Sequence, residues 1–285
     1  MTLDDKPSTT PKVVEGKDAP SVLKLDRDYM QFPTKVGAEG IAFTKKLGTL
    51  GFLFAESIQV MFASPFRWRI FAKQLEFIGN KSLSIVLLTG FAVGAILTLQ
   101  LATTMRDFSS ENMVGGIVAL VLSKELGPLL AALMINGRVA SAIAAEIGTM
   151  RVTEQIDALE AMSVDPVQYL ISPRLFAGVV MLPFMTVIFN MVGMVASYII
   201  AIHLLDLDPG VFFSKISDFL TLGIIFKGLA KASFFGLILT FVGSYHGYYT
   251  KGGAAGVGSS TTSAVVVGSV LIMVMDYIIG AFLIA

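Results

Sequence analysis

Between Ser84 and Ala102 the chain carries no charged residue, and a helix of that length, rising 1.5 Å per residue, covers about the ~30 Å of a bilayer's hydrocarbon core. Three more runs pass the same test: Leu175–Ile202, Ala232–Tyr249 and Ser263–Ala285, the last with one acid, Asp276. A fifth, Met113–Gly137, is apolar except for Lys124 and Glu125. Lipid offers no partner to a free backbone N–H or C=O, so such runs must close their hydrogen bonds within themselves as helices. The sequence therefore predicts an all-α integral membrane protein of five transmembrane helices, with its two termini on opposite faces.

Composition agrees. Hydrophobic residues make up 54% of the chain and charged residues 15%, against about 25% charged in soluble domains. The net charge is zero and no Lys/Arg tract stands out, so nothing proposes nucleic acid as a partner. With no cysteine, disulfides, thiolate metal sites and thiol catalysis are excluded. His203 and His246 have no ligand-spaced companions and are expected at membrane interfaces rather than on a metal.

No signal peptide is expected, because the first sizeable apolar stretch follows about forty polar residues. Met1–Lys35, rich in Asp, Lys, Pro, Ser and Thr, has the composition of a disordered segment. The expected organisation is a disordered cytoplasmic extension over 1–40, interfacial or elbow helices over 41–82, and a five-helix domain over 83–285. Within 41–82, Leu47–Ala63 is short and carries Glu56. Phe66–Ile78 mixes Trp68, Phe71 and Phe77 with Arg67, Arg69 and Lys73, which suits a helix lying along the interface. Between the third and fourth spans, Leu205–Phe226 is too polar for lipid, and a short outer-face helix is expected over Pro209–Leu220.

Flanking basic residues set the orientation. Arg67, Arg69, Lys73 and Lys81 precede the first span, Arg151 and Arg174 separate the second from the third, and Lys251 lies between the fourth and fifth. The opposite loops hold Arg106, Lys215, Lys227 and Lys231 beside Asp206, Asp208 and Asp218. That bias places the N-terminus in the cytoplasm and the C-terminus outside.

The second span holds the unusual chemistry. Counting from Met113, Lys124 and Glu125 come about 17 Å in, near mid-bilayer, and Arg138 about 37 Å in, where it can snorkel to the inner boundary. A charge at mid-depth costs roughly 2.5–3.5 kcal/mol on insertion scales, and faces a bundle interior, a partner charge or a water-filled cavity. Lys124 and Glu125 thus line a cavity or neutralise neighbours in a packed dimer, and Asp276 pairs with a neighbouring helix or faces the cavity. Gly127-Pro128 is expected to weaken the helix, since Pro128 removes a backbone bond. The segment that follows is small-residue rich, including Gly137 and Ser141 at small-xxx-small spacing. That face serves either intrachain packing or a dimer seam. Glu146 is a further charge on the same helix.

Next, Thr153 is read as the cap of a helix running to Met162, with Glu154 in its first turn. Ile156, Leu159 and Met162 fall on one side, and Glu154, Asp157 and Glu160 on another. The segment is shaped either to touch another protein or simply to present an acidic solvated face. The glycine-rich stretch Lys251–Thr262 has neither a Walker loop nor a dinucleotide fingerprint, and reads as a flexible loop entering the fifth span with Ser/Thr capping its start. The chain has no visible ATP site, no Ser/His/Asp order and no close carboxylate pair, so it is not expected to be an enzyme.

The run Glu125-Leu126-Gly127-Pro128, Gly137-Arg138, Ser141-Ala142, Ala145-Glu146-Ile147-Gly148-Thr149-Met150-Arg151, Thr153 to Leu159, Val164-Asp165-Pro166 and Pro173-Arg174 resembles the MlaE permease family, membrane subunits of lipid-transporting ABC systems. The likeness continues through Gly256-Val257-Gly258, Thr261-Thr262 and Asp276-Tyr277, and covers roughly Leu47 to the C-terminus. It implies a homodimeric permease of the bacterial inner membrane, paired with a cytoplasmic ABC ATPase dimer that carries ATP and Mg and with a periplasmic MCE lipid-binding ring. A small STAS-domain regulator is a further implied partner, and no cofactor is implied for this chain. The substrate implied is phospholipid, moved between the inner membrane and the MCE carrier to maintain outer-membrane lipid asymmetry. Thr153–Met162 looks like the family's coupling helix, so Arg151, Glu154, Asp157, Glu160 and Asp165 are the implied contacts to the ATPase. Gln100, Phe108, Lys124 and Glu125 would fall on an outward-facing lipid cavity. The family commonly has Arg where Lys124 stands, which replaces a bidentate phosphate fork with a point charge. Two other readings compete: an ion-coupled secondary transporter using Glu125 and Asp276 as proton relays, and a purely structural membrane scaffold.

Overall fold

The computed structural model describes residues 44–45, 48–60 and 67–284, and every regular element among them is helical. The chain divides into two units, Met1–Gly51 and Phe52–Ala285. In the first, helical residues 44–45 and 48–51 are described; the disordered extension expected over 1–40 lies outside the described residues. The second unit carries α1 (residues 52–60), α2 (Trp68–Gly79), α3 (Leu83–Arg106), α4 (Val114–Val121), α5 (Gly127–Val152), α6 (Gln155–Ala161), α7 (Ser172–His203), α8 (Pro209–Phe219), α9 (Leu222–Tyr248) and α10 (Gly253–Ile284).

Five helical stretches are long and apolar enough to cross a membrane: Trp68–Arg106, Glu111–Val152, Val167–His203, Leu222–Tyr248 and Gly253–Phe282. The chain is a multi-pass membrane protein with the five spans expected, but their ends reach further. An apolar run marks only what sits in hydrocarbon, whereas helix propagation adds a backbone bond per residue and continues into polar sequence. The first stretch shows the difference. The 24 residues of α3 already reach about 36 Å, so α2 is not needed for the crossing. Phe71 and Ile78 of α2 are buried while Trp68, Arg69, Lys73 and Glu76 are exposed, the two-sided pattern expected over Phe66–Ile78. A single 3-10 turn, Asn80–Ser82, joins it to α3.

Close backbone approach holds the bundle. A Cβ on Gly94 of α3 would run into the Gly193 backbone of α7, and one on Gly178 of α7 would strike the Gly236 carbonyl of α9. Small residues at such crossings let helices pack where lipid supplies no hydrophobic drive. Some polar groups pair across a seam, as in Thr98 Oγ1 donating to Ser197 Oγ at 2.7 Å. At the centre, α5 lies against both α9 and α10. Its Ala140 and Ala144 meet the space left by Gly243 and Gly247 and cluster with Ala264. Asn136 Nδ2 donates to Val265 O and Ser269 Oγ, each at 3.0 Å.

Two spans contain a widened turn. In the π-helical segments Leu122–Leu126 and Val167–Ile171, the N–H of Gly127 reaches Leu122 O and that of Ser172 reaches Val167 O. A proline follows each, Pro128 and Pro173. Proline lacks the N–H and its ring crowds the carbonyl four residues back. The weakening expected at Gly127-Pro128 takes the form of an extra residue absorbed in one turn, with the helix unbroken.

The short helix between the third and fourth spans matches its expected place. Asp208 Oδ1 accepts from Val211 N–H at 2.9 Å and Pro209 opens α8, the capping chemistry of a helix start. The glycine-rich stretch is corrected. α10 begins at Gly253, so Gly256, Gly258 and Ser259–Thr262 are helical rather than a loop. The turn needs only Gly252 (φ 89°) and Gly253 (φ 65°), conformations that glycine adopts without a steric penalty.

Candidate functional site

Lys231, counted by its flanking position among the outer-loop charges, sits inside α9 and is 1% exposed. Its Nζ lies 2.9 Å from Asp276 Oδ1 of α10 and is hydrogen-bonded to Glu125 Oε2 in the first widened turn. The fourth span begins at Leu222, well before the apolar run at Ala232, because a lysine paired on both sides does not interrupt a span. Glu125 and Asp276, singled out separately in the sequence, are thus brought together by a residue that sequence reasoning assigned elsewhere. Charge balance was the available signal: two acids in spans against the single base Lys124 call for another cation. A buried ion group is costly unless its geometry is good, and here one ammonium serves two carboxylates.

Lys124 takes no part in this network. It is half-buried, and no ion pair or hydrogen bond joins it to any described residue. Gln100 lies on an exposed part of α3, its carbonyl accepting from Thr103 and Thr104 hydroxyls. Phe108 follows α3 in a turn and is 71% exposed. Neither is bonded to the charged cluster within the described chain. An apolar cavity of about 360 Å³, bounded by Ser123, Asn190, Met194 and Leu229 among others, lies between α7 and α9; no sequence pattern marked it.

At its other end α5 leads into α6. The expected cap is corrected: the Thr153 hydroxyl donates back to Thr149 O at 2.8 Å, and Glu154 occupies the position before the helix in a left-handed conformation (φ 58°). α6 is therefore Gln155–Ala161, shorter than Thr153–Met162. A β-branched residue whose hydroxyl reaches the preceding turn cannot also face the N–H groups ahead of it. Of the expected apolar side, Ile156 is buried and Leu159 half-buried, while Met162 is 65% exposed. Arg151 binds Asp157 at 2.8 Å, and Asp165 Oδ1 accepts from Val167 N–H at 2.8 Å, which ties both acids to their own chain. Glu154 and Glu160 remain exposed.

Arg174, counted as a loop charge, is also corrected: it is buried in the first turn of α7, donates to Leu170 O, and meets Glu146 of α5 at 2.9 Å. Arg138 does not snorkel. Its Nε donates to Ser82 Oγ at 3.0 Å, its Nη2 donates to Phe77 O, and its guanidinium stands 5.0 Å from the Phe77 ring centre. Gly137 is exposed with nothing within 4 Å of where a Cβ would stand, and among the described residues Ser141 Oγ bonds to Gly137 O and Arg138 O of its own helix. Intrachain packing uses the Ala140 and Ala144 face and leaves Gly137 open.

Over residues 71–282 the chain matches a protein family described as Permease MlaE. It is 40% identical over 244 residues to a probable ABC transporter permease protein of Rickettsia typhi, covering 86% of this chain and 94% of the relative. It is 33% identical over 255 residues to the intermembrane phospholipid transport system permease protein MlaE of Haemophilus influenzae, covering 89% and 98%. A chloroplastic protein of Arabidopsis thaliana, TRIGALACTOSYLDIACYLGLYCEROL 1, is 37% identical over 215 residues, covering 75% of this chain and 61% of that one.

Proposed function

The chain belongs to the MlaE permease family, and from that premise we propose that it is the membrane subunit of an ABC transporter moving phospholipid between the inner membrane and a periplasmic MCE carrier. The observation that carries the reading is Lys124, a half-buried cation at mid-span with no ion pair or hydrogen bond to any described residue, beside a triad in which both carboxylates already share the Lys231 ammonium. A phosphate head group supplies the missing anion, held by the ammonium as a point charge rather than by a fork. The near-complete alignment with a relative named for intermembrane phospholipid transport supports the same substrate.

In this reading two copies meet across the open Gly137 face and enclose the lipid. A cytoplasmic ATPase engages α6 through Glu154, Glu160 and Met162, with Arg151 and Asp157 locking the helix's own start. ATP binding draws the α6 helices inward; α5 carries the displacement as a rod to the widened turn at Leu122–Leu126, where π-turns commonly mark function. The lipid site beside that turn then closes and expels its cargo. With Lys231 and Arg174 removed from the loop count, the remaining flanking bases still favour a cytoplasmic N-terminus and a periplasmic C-terminus.

The test is reconstitution of the chain with its ATPase in donor vesicles, following phospholipid transfer to an acceptor and ATP hydrolysis together. Lys124→Arg retains transfer, Lys124→Ala lowers it, and Glu154→Arg with Glu160→Arg detaches the ATPase. Transfer that is indifferent to Lys124→Ala and to the α6 charges overturns the proposal. Uptake driven by a proton gradient without ATP would favour the ion-coupled alternative.

A further inference from the structure

The clamp around Arg138 does more than neutralise a charge. α2 and α3 are joined by the 3-10 turn Asn80–Ser82, and a 3-10 stretch inside a longer helical run is a common hinge. One guanidinium spans that turn. Its Nη2 takes the Phe77 carbonyl in α2, its Nε takes the buried hydroxyl of Ser82, the residue of the turn that adjoins α3, and its face lies over the Phe77 ring. Beneath the turn, Met181 and Met185 of α7 press on Gly79. The arginine itself comes from α5, the helix that leads into α6.

We propose that Arg138 is a positioning residue that locks the α2–α3 junction to α5, so that a displacement of the α6 end of α5 moves the first span with the second. The transmission half of this rests on the function proposed above; the lock itself does not. Three features favour a lock over a charge accommodated for solubility. Two of its donors, Nε and Nη2, are spent on protein groups. They bind before the hinge, at Phe77, and at its last residue, Ser82. The planar fork of arginine makes two directed bonds that a lysine ammonium on its flexible stem does not reproduce.

The chain contains no cysteine, so two introduced thiols report alone. Asn80→Cys and Thr149→Cys lie on exposed positions of the junction and of α5, and spin labels on them, diluted with unlabelled chain in lipid nanodiscs, give a distance distribution. In the parent the distribution is narrow and keeps its centre when ATP is added to the complex with the ATPase. In Arg138→Gln it broadens, and lipid transferred per ATP hydrolysed falls by about tenfold while hydrolysis itself changes by no more than about twofold, the range mutations along a coupling route produce. Arg138→Lys falls between. Ser82→Ala, which keeps the arginine and removes one acceptor, moves both readouts less and in the same direction, and serves if Arg138→Gln does not fold. A distribution in Arg138→Gln as narrow as the parent's overturns the lock. Lipid transfer and hydrolysis falling in parallel, or an unchanged ratio, overturns the transmission. If the parent shows no ATP-dependent transfer at all, the functional reading fails with the transmission, and the distance widths alone decide the lock.

Discussion

Replacing Lys231 with methionine removes the ammonium that stands between Glu125 and Asp276. The lysine side chain is 1% exposed and the two carboxylates 37% and 19%, so the acids are left facing each other with partial access to water. Breaking a buried pair by deleting one partner costs about 3–5 kcal/mol. Water reaching Glu125 brings the expectation to the low end, about 3 kcal/mol. Removing all three charges together, as Lys231→Met with Glu125→Gln and Asp276→Asn, leaves no uncompensated ion and is expected within about 1 kcal/mol of the parent. The non-additivity between the single and triple variants measures the coupling within the triad. Reversible unfolding in mixed micelles, followed by loss of helicity as the denaturing detergent fraction rises, reads both values. A single variant as stable as the parent, or a triple variant as weak as the single, would refute the claim that the triad is an electrostatic unit.

Other outcomes follow from the packing. Gly137→Leu keeps the monomer's thermal stability, since the position is exposed and nothing lies within 4 Å of an added Cβ, yet abolishes self-association by cross-linking or light scattering; retained association places the seam elsewhere. Gly178→Leu forces α7 from the Gly236 backbone of α9 and lowers stability by at least the 1–3 kcal/mol of ordinary overpacking, measured in the same micelle titration. Glu146→Ala strips the buried Arg174 of its carboxylate and costs about 1–3 kcal/mol; the further change Arg174→Met recovers most of it.

Hydropathy resolved the five spans because each buries a run too long for any alternative, and the Asp208-Pro209 pair signalled α8 because both cap chemistries are local. What hydropathy missed is non-local. Lys231 and Arg174 look like loop charges when residues are scored singly; each is buried because its partner arrives from elsewhere in the chain, Glu125 being 106 positions from Lys231. Thr153 has the right residue type for a cap, but its hydroxyl has a nearer acceptor in the preceding turn. The glycines after Lys251 suggested a loop, yet in a lipid-facing segment an open backbone costs more than a glycine does in a helix. For the site, Glu125 and Asp276 were legible as charges at depth; that they share one ammonium, and that Lys124 does not, required the fold.

The widened turn at Leu122–Leu126 also changes how the second span must be counted. A helical wheel drawn straight through Val114 to Val152 slips there by one residue, about 100°, so side chains before and after the turn belong to two different wheels. Asn136 faces Ser269 and Arg138 faces Ser82 only because that surplus residue is present. Deleting Leu126 to restore an unbroken α-helix would touch neither contact directly, yet it would swing the whole C-terminal half of the span, α6 included, by more than a quarter turn.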